Sequence, residues 1–214
     1  MGIFELLSGS VSPITIAVYL FAIVVALTIH EFAHAWVADK LGDPTPRFDG
    51  RVTLNPLAHL DPIGALFFLV FGFGWGKPVV YNPMRLRGKL DELWVALAGP
   101  ASNLVLAFLL LILSAVLQFT GLDWVINPAI LALAALINVF LAAFNMLPIP
   151  PLDGSAIIAT FYPQYRSYVS GMVGFIILLI LIYIPIGGSP LLTTIVNPIV
   201  SLFSWIVSLG GLLT

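Results

Sequence analysis

Apolar residues in this chain fall in long unbroken stretches rather than in alternation, and the stretches match a bilayer in length. With about 20 residues per crossing, runs at about 13–38, 93–119, 128–147, 168–187 and 190–212 predict five transmembrane helices. A sixth run, from Pro62 to about Gly74, is too short to cross independently and is broken by GFGWGKP. It reads as a short or re-entrant helix, with Asp61 as N-cap and Pro62 at its first position. The flanking segments RVTLN (51–55) and KPVVYN (77–82) read as short strands of a small β-hairpin. Such a hairpin is either a plain cytoplasmic loop or an edge able to pair with an unwound peptide. The expected fold is all-α and polytopic, one membrane-embedded domain over 1–214 with no internal repeat or linker.

Composition agrees with this picture. The chain is 60% hydrophobic and 8% charged, with mean hydropathy +1.10, which leaves no room for a sizeable water-soluble domain. Its partners are therefore expected in the lipid bilayer, and no nucleic acid is expected. There is no cysteine, so disulfides and thiolate metal sites are excluded. The N-terminal MGIFELLSGSVS lacks the basic region of a cleaved signal peptide, and Leu6 stands where myristoylation requires Ser or Thr.

Charge adds direction. Lys40, Arg47, Arg51, Lys77, Arg85, Arg87 and Lys89 all fall between the first two full spans, and Arg166 lies two crossings later. Basic residues near span ends favour the cytoplasm. The expectation is an inner-membrane, multi-pass protein with its N-terminus outside and its C-terminus cytoplasmic. Topology alone is the simplest role for each of these cations individually.

The chemistry starts at TIHEFAHAW, residues 28–36. A spacing of four sets His30 and His34 about 40° apart on one helix face, one turn above the other, so both imidazoles can reach one ion. Glu31 lies beside them, poorly placed as a third ligand. In the HExxH pattern two histidines bind zinc and the glutamate handles a water proton. The alternative is a chance match with a satisfied histidine pair. Ionisable groups in lipid cost on the order of 2–3 kcal/mol or more near a helix centre, which favours function. From Pro13 to His30 the helix rises about 26 Å, which sets the pair toward the cytoplasmic side.

Catalytic zinc usually has three protein ligands. The candidate third is Asp153 in NMLPIPPLDG, where the third full span returns to the cytoplasmic side and Pro148, Pro150 and Pro151 interrupt the helix. The competing role for Asp153 is a helix N-cap ahead of Gly154. One Zn²⁺, two neutral imidazoles and the carboxylates of Asp153 and Glu31 sum to zero charge, which suits a low dielectric.

HEFAH on a membrane helix, then NPLAHLDPIG, GWGKPV followed by NP, ALAGPASN and FNMLPIPPLDG, in that order, resemble the site-2 protease family of intramembrane metalloproteases. The resemblance covers about residues 20–160, and is greatest to minimal prokaryotic members without a PDZ module. It implies one zinc per chain held by His30, His34 and Asp153, with Glu31 as the catalytic acid/base. It further implies a catalytic core at about 13–162, followed by C-terminal helices at about 168–212. Asn145 resembles the family's substrate-contacting residue; holding its own broken helix together is the other reading. The resemblance implies transmembrane proteins or peptides as substrates, with any homo-oligomer or adaptor left open.

Weaker signals remain. Gly99, Pro100 and Asn103 read mainly as helix packing, with Asn103 also able to hydrogen-bond toward the core. His59 is either a residue supporting the site or a loop histidine near a helix cap. Two rival functions are a metal transporter and an inactive, protease-like binding protein. A carrier is expected to show repeated halves, and a dead relative to lose the glutamate or a ligand; neither is seen.

Overall fold

The computed structural model describes residues 12–165, 171–186 and 189–209, and the protein is mostly helical. The N-terminal dozen bar Ser12, Arg166, the start of the expected fourth span and the Gly187-Gly188 connection lie outside the described residues.

Helix α1 (Pro13–Lys40) starts where Ser12 Oγ accepts the Thr15 amide at 3.1 Å and Pro13 occupies the first turn. A four-residue helix α2 (Thr45–Phe48) follows. Helix α3 (Pro62–Phe71) is the anticipated short helix: Asp61 Oδ1 accepts the Gly64 amide at 2.7 Å, and Gly72, at φ 73°, ends it. Helices α4 (Asp91–Phe119) and α5 (Pro128–Asn145) form an antiparallel pair, the latter capped by Asn127. Helices α6 (Asp153–Phe161), α7 (Gly171–Tyr183) and α8 (Leu191–Leu209) complete the chain.

Among the described residues, α1, α4 and α5 are long and apolar enough to cross a membrane. Helix α7 and the apolar stretch Leu191–Trp205 of α8 are shorter, so five full crossings are not established.

Helix α4 is the hub, packing on α1, α5 and α6. Small side chains make this possible: Ala26, Ala35 and Ala38 on α1, Ala107 on α4 and Ala135 on α5 are fully buried. Without a hydrophobic drive between helices in lipid, close backbone approach supplies the packing energy. Leu111 and Val139 fill the α4–α5 seam. Phe144 and Leu147 lie with Leu181 and Val196, joining α5 to α7 and α8.

The expected hairpin does not form. RVTLN and KPVVYN are irregular, and the pairing near them is a single bridge between Leu60 and Gly76, with the Lys77 amide donating to His59 O at 2.8 Å. Both segments end in Asn-Pro. Asn55 and Asn82 instead start 3-10 turns at Pro56 and Pro83, their side chains accepting the Leu57 and Met84 amides at 3.1 and 3.0 Å. The carbonyls of Lys77 and Pro78, which a ladder would need, accept from Arg51. A two-residue antiparallel pairing occurs elsewhere, Pro185–Ile186 with Ser189–Pro190, joining α7 to α8.

Asp43 ties this α1–α4 connection together. It is fully buried and accepts from Thr45 N, Thr45 Oγ1 and Asn82 N at 3.1, 2.6 and 2.5 Å. Burial pushes its carboxyl up, but these hydrogen bonds outweigh it and hold the group below the usual carboxylate range.

Candidate metal centre

His30 and His34 lie on the buried face of α1 against α4. Each ring is oriented through Nδ1 by a group that can only accept there. His34 Nδ1 donates to the main-chain carbonyl of Val95 at 2.7 Å. His30 Nδ1 donates to Asn103 Oδ1 at 2.7 Å. The Asn103 amide cannot be reversed, because its Nδ2 donates to Ala26 O at 3.0 Å and to Asn138 Oδ1 at 2.8 Å. Asn138 is held in turn by donating to Ala134 O at 2.9 Å.

With a proton on each Nδ1, each Nε2 presents a lone pair. The two Nε2 atoms face each other at 3.0 Å. Asp153 closes the triangle, its Oδ2 at 3.1 Å from His30 Nε2 and its Oδ1 at 3.3 Å from His34 Nε2. Protonating both rings would set two cations side by side in a buried pocket, which is costly. Asp153 Oδ2 is a buried acceptor without a hydrogen-bond partner, facing His30 Nε2.

Three Lewis-basic groups converging this closely suit a divalent cation, which takes the place of any proton they would otherwise share. All three ligand atoms lie within 4.8 Å of one another. Two imidazoles and one carboxylate form a donor set of catalytic zinc sites, which keep a further position for water. The residues therefore fit zinc.

Local sequence explains each placement. A helical turn brings the histidines together. Helix α6 begins at Asp153, but its N-cap is Leu152, which offers no side-chain hydrogen bond, so Asp153 is directed at the histidines rather than capping. Gly99 supplies the close approach: a Cβ there would collide with His34 Nε2 and lie 2.6 Å from His30 Nε2. Gly154 does the same against the carbonyls of Met146 and Leu147, letting α6 start close to the end of α5.

Glu31 is outside the ligand triad, partly buried, with its Oε2 3.7 Å from Arg51 Nη2. Asn145, the last residue of α5, donates from Nδ2 to Leu141 O at 3.0 Å, the helix-holding arrangement. His59 is fully buried away from the triad, at the end of a 3-10 turn, with Nε2 donating to Thr53 O at 2.7 Å. Asn103 turns out to orient His30. Asn138, Arg51 and the Val95 carbonyl were not anticipated. Of these only Asn138, a polar residue inside an apolar run, gave a signal in the sequence; Arg51 lies in a connecting segment, and a main-chain carbonyl gives none. Because Asn103 fixes the tautomer and orientation of His30, Asn103→Leu is expected to weaken zinc binding about 10–100-fold. Competition against a chelator of known affinity measures this.

Two histidines from one helix and a carboxylate from another, inside an apolar helical bundle, make a candidate metal site in a protein with helices long and apolar enough to cross a membrane. The profile of Peptidase family M50 matches residues 124–183, reaching past the quoted motifs into α7. Curated relatives named "Putative zinc metalloprotease" include the following three. YwhC of Bacillus subtilis is 37% identical over 90% of this chain and 94% of its own. Rip2 of Mycolicibacterium smegmatis is 35% identical over 60% of this chain and 51% of its own. MJ0611 of Methanocaldococcus jannaschii is 29% identical over 76% and 78%. No solved structure matches. The chain belongs to peptidase family M50, the site-2 proteases.

Proposed function

We propose that this protein is an intramembrane zinc endopeptidase, cleaving peptide bonds in or near transmembrane segments of other membrane proteins. The observation that carries the reading is the convergence of His30, His34 and Asp153, with a carboxylate outside the triad at Glu31. Zinc held by His30, His34 and Asp153 would supply Lewis acidity, enough to acidify a water and polarise a carbonyl.

The chain's own groups do the rest. Glu31 takes the proton of the attacking water and passes it to the departing amine. One Asn145 amide hydrogen holds Leu141 O; the other donates to the substrate main chain or to the developing oxyanion. Asn103 and Val95 O keep the imidazoles in one tautomer. The site faces the cytoplasmic side of the inner membrane. Supporting this, His30 stands ten residues before the end of α1 at Lys40, about 15 Å along the helix, and seven of the eight basic residues lie at 40–89. The termini then lie outside (N) and in the cytoplasm (C), with five crossings in all.

Glu31→Gln tests the reading. The variant is expected to keep stoichiometric zinc by elemental analysis, while cleavage of a model transmembrane peptide falls by roughly 10²–10⁴, the range of general-base catalysis. A carrier or binding protein would show no such cleavage in the wild type. Cleavage by Glu31→Gln at the wild-type rate would overturn the assignment.

A further inference from the structure

Arg51 is a buried guanidinium on an irregular segment, a costly arrangement that the proposed chemistry leaves without a role. Its Nη2 donates to Lys77 O at 2.5 Å and faces His59 Nδ1 at 3.4 Å, while Nη1 donates to Pro78 O at 3.3 Å. His59 is set to accept there, because its Nε2–H is committed to Thr53 O at 2.7 Å. Burial, with a further contribution from Arg51, keeps that imidazole below its ordinary pKa and so neutral. The nearest charged partner of Arg51 is Glu31, at 3.7 Å, beyond hydrogen-bond reach, with Asp49 contributing at longer range. Arg51 Nε–H is buried without an acceptor, so the side chain is not placed to satisfy itself.

Nη2 has two hydrogens. Lys77 O and His59 Nδ1 lie in their range, and Glu31 is attracted without being bonded. That suits a proton acceptor. A bidentate arginine would occupy the lone pairs that a base needs, whereas a cation pinned at 3.7 Å orients the carboxylate and leaves them free.

We propose that Arg51 is a positioning residue for Glu31, anchored by His59 and the Lys77–Pro78 backbone so that its charge aims the carboxylate without hydrogen-bonding it. The inference rests on the reading of Glu31 as the proton-transferring group.

The test compares Arg51→Gln and Arg51→Lys with the wild type, using detergent-purified full chain and a model transmembrane peptide. Arg51→Gln is expected to lower kcat about 100-fold, the scale of a small misplacement of a catalytic group. KM should stay within about threefold, and bound zinc should remain stoichiometric. Arg51→Lys, which keeps the charge, should recover part of kcat. Equal kcat losses in the Gln and Lys variants, with zinc lost from both, would show that Arg51 merely holds the loop and would overturn the proposal. So would wild-type kcat in Arg51→Gln. Glu31→Gln is run in parallel: wild-type turnover there overturns the proteolytic reading itself, whereas wild-type turnover in Arg51→Gln alone overturns only the role of Arg51.

Discussion

Gly99→Ala is expected to strip the protein of zinc and of activity while leaving it helical and membrane-inserted. Two effects of the added methyl oppose each other. Gly99 lies inside α4, where alanine is favoured over glycine by about 1 kcal/mol in helix propensity. Propensity alone therefore predicts a neutral or stabilising change. Against this, the methyl would collide with His34 Nε2 and lie 2.6 Å from both Cε1 and Nε2 of His30, where ordinary contact is 3.4–4 Å.

Neither ring can retreat. Both are tethered at Nδ1, one to Val95 O on α4 itself and one to Asn103 on α4, so moving the helix away drags the imidazoles' own anchors with it. The conflict falls on the ligand nitrogens rather than on a deformable apolar contact. Circular dichroism of Gly99→Ala should match the wild type, and elemental analysis should find zinc far below one per chain. Stoichiometric zinc with normal cleavage would show that the α1–α4 approach tolerates a methyl.

Why some of this was legible in the sequence, and some not, follows from the range of each interaction. The pairing of His30 with His34 is local: a spacing of four residues on a helix decides it. Asp153 could be found because prolines mark where a span breaks, and the direction of the spans returns that break to the level of the histidines. Gly99 carried a packing signal, but nothing in the sequence says that it packs on imidazoles instead of aliphatic side chains. The Asn103–Asn138 bond depends on the axial register of α4 against α5, which hydropathy leaves undetermined. RVTLN and KPVVYN misled because their β-branched residues suggest strands, whereas the Asn-Pro that ends each segment starts a 3-10 turn and Arg51 takes the carbonyls. The broad plan of apolar helices was readable, since lipid demands it. The number of crossings was less so: among the described residues only α1, α4 and α5 are long enough to cross, while α7 and the Leu191–Trp205 stretch of α8 are shorter.

Asp153→Asn is expected to separate metal binding from folding more cleanly than loss of either histidine. The amide nearly matches the carboxylate in shape, so packing of α6 against α4 is preserved, but the charge is gone. Zinc with two neutral imidazoles then keeps a full double charge near the triad, opposed by Glu31 alone, in a medium that stabilises net charge poorly. Affinity should fall by more than the roughly 100-fold upper range of outer-shell changes. Folding should suffer little, since Leu152 and not Asp153 is the N-cap of α6; the lost charge near the helix N-terminus is worth about 0.3–1 kcal/mol. Thermal unfolding with and without chelator makes the distinction without any substrate. A ligand at about 1,000 times its Kd stabilises by roughly 4 kcal/mol, so chelator should lower the wild-type midpoint and leave that of Asp153→Asn unmoved. An equal chelator shift in both proteins would mean that the metal is held without this carboxylate, and the triad would have to be redrawn.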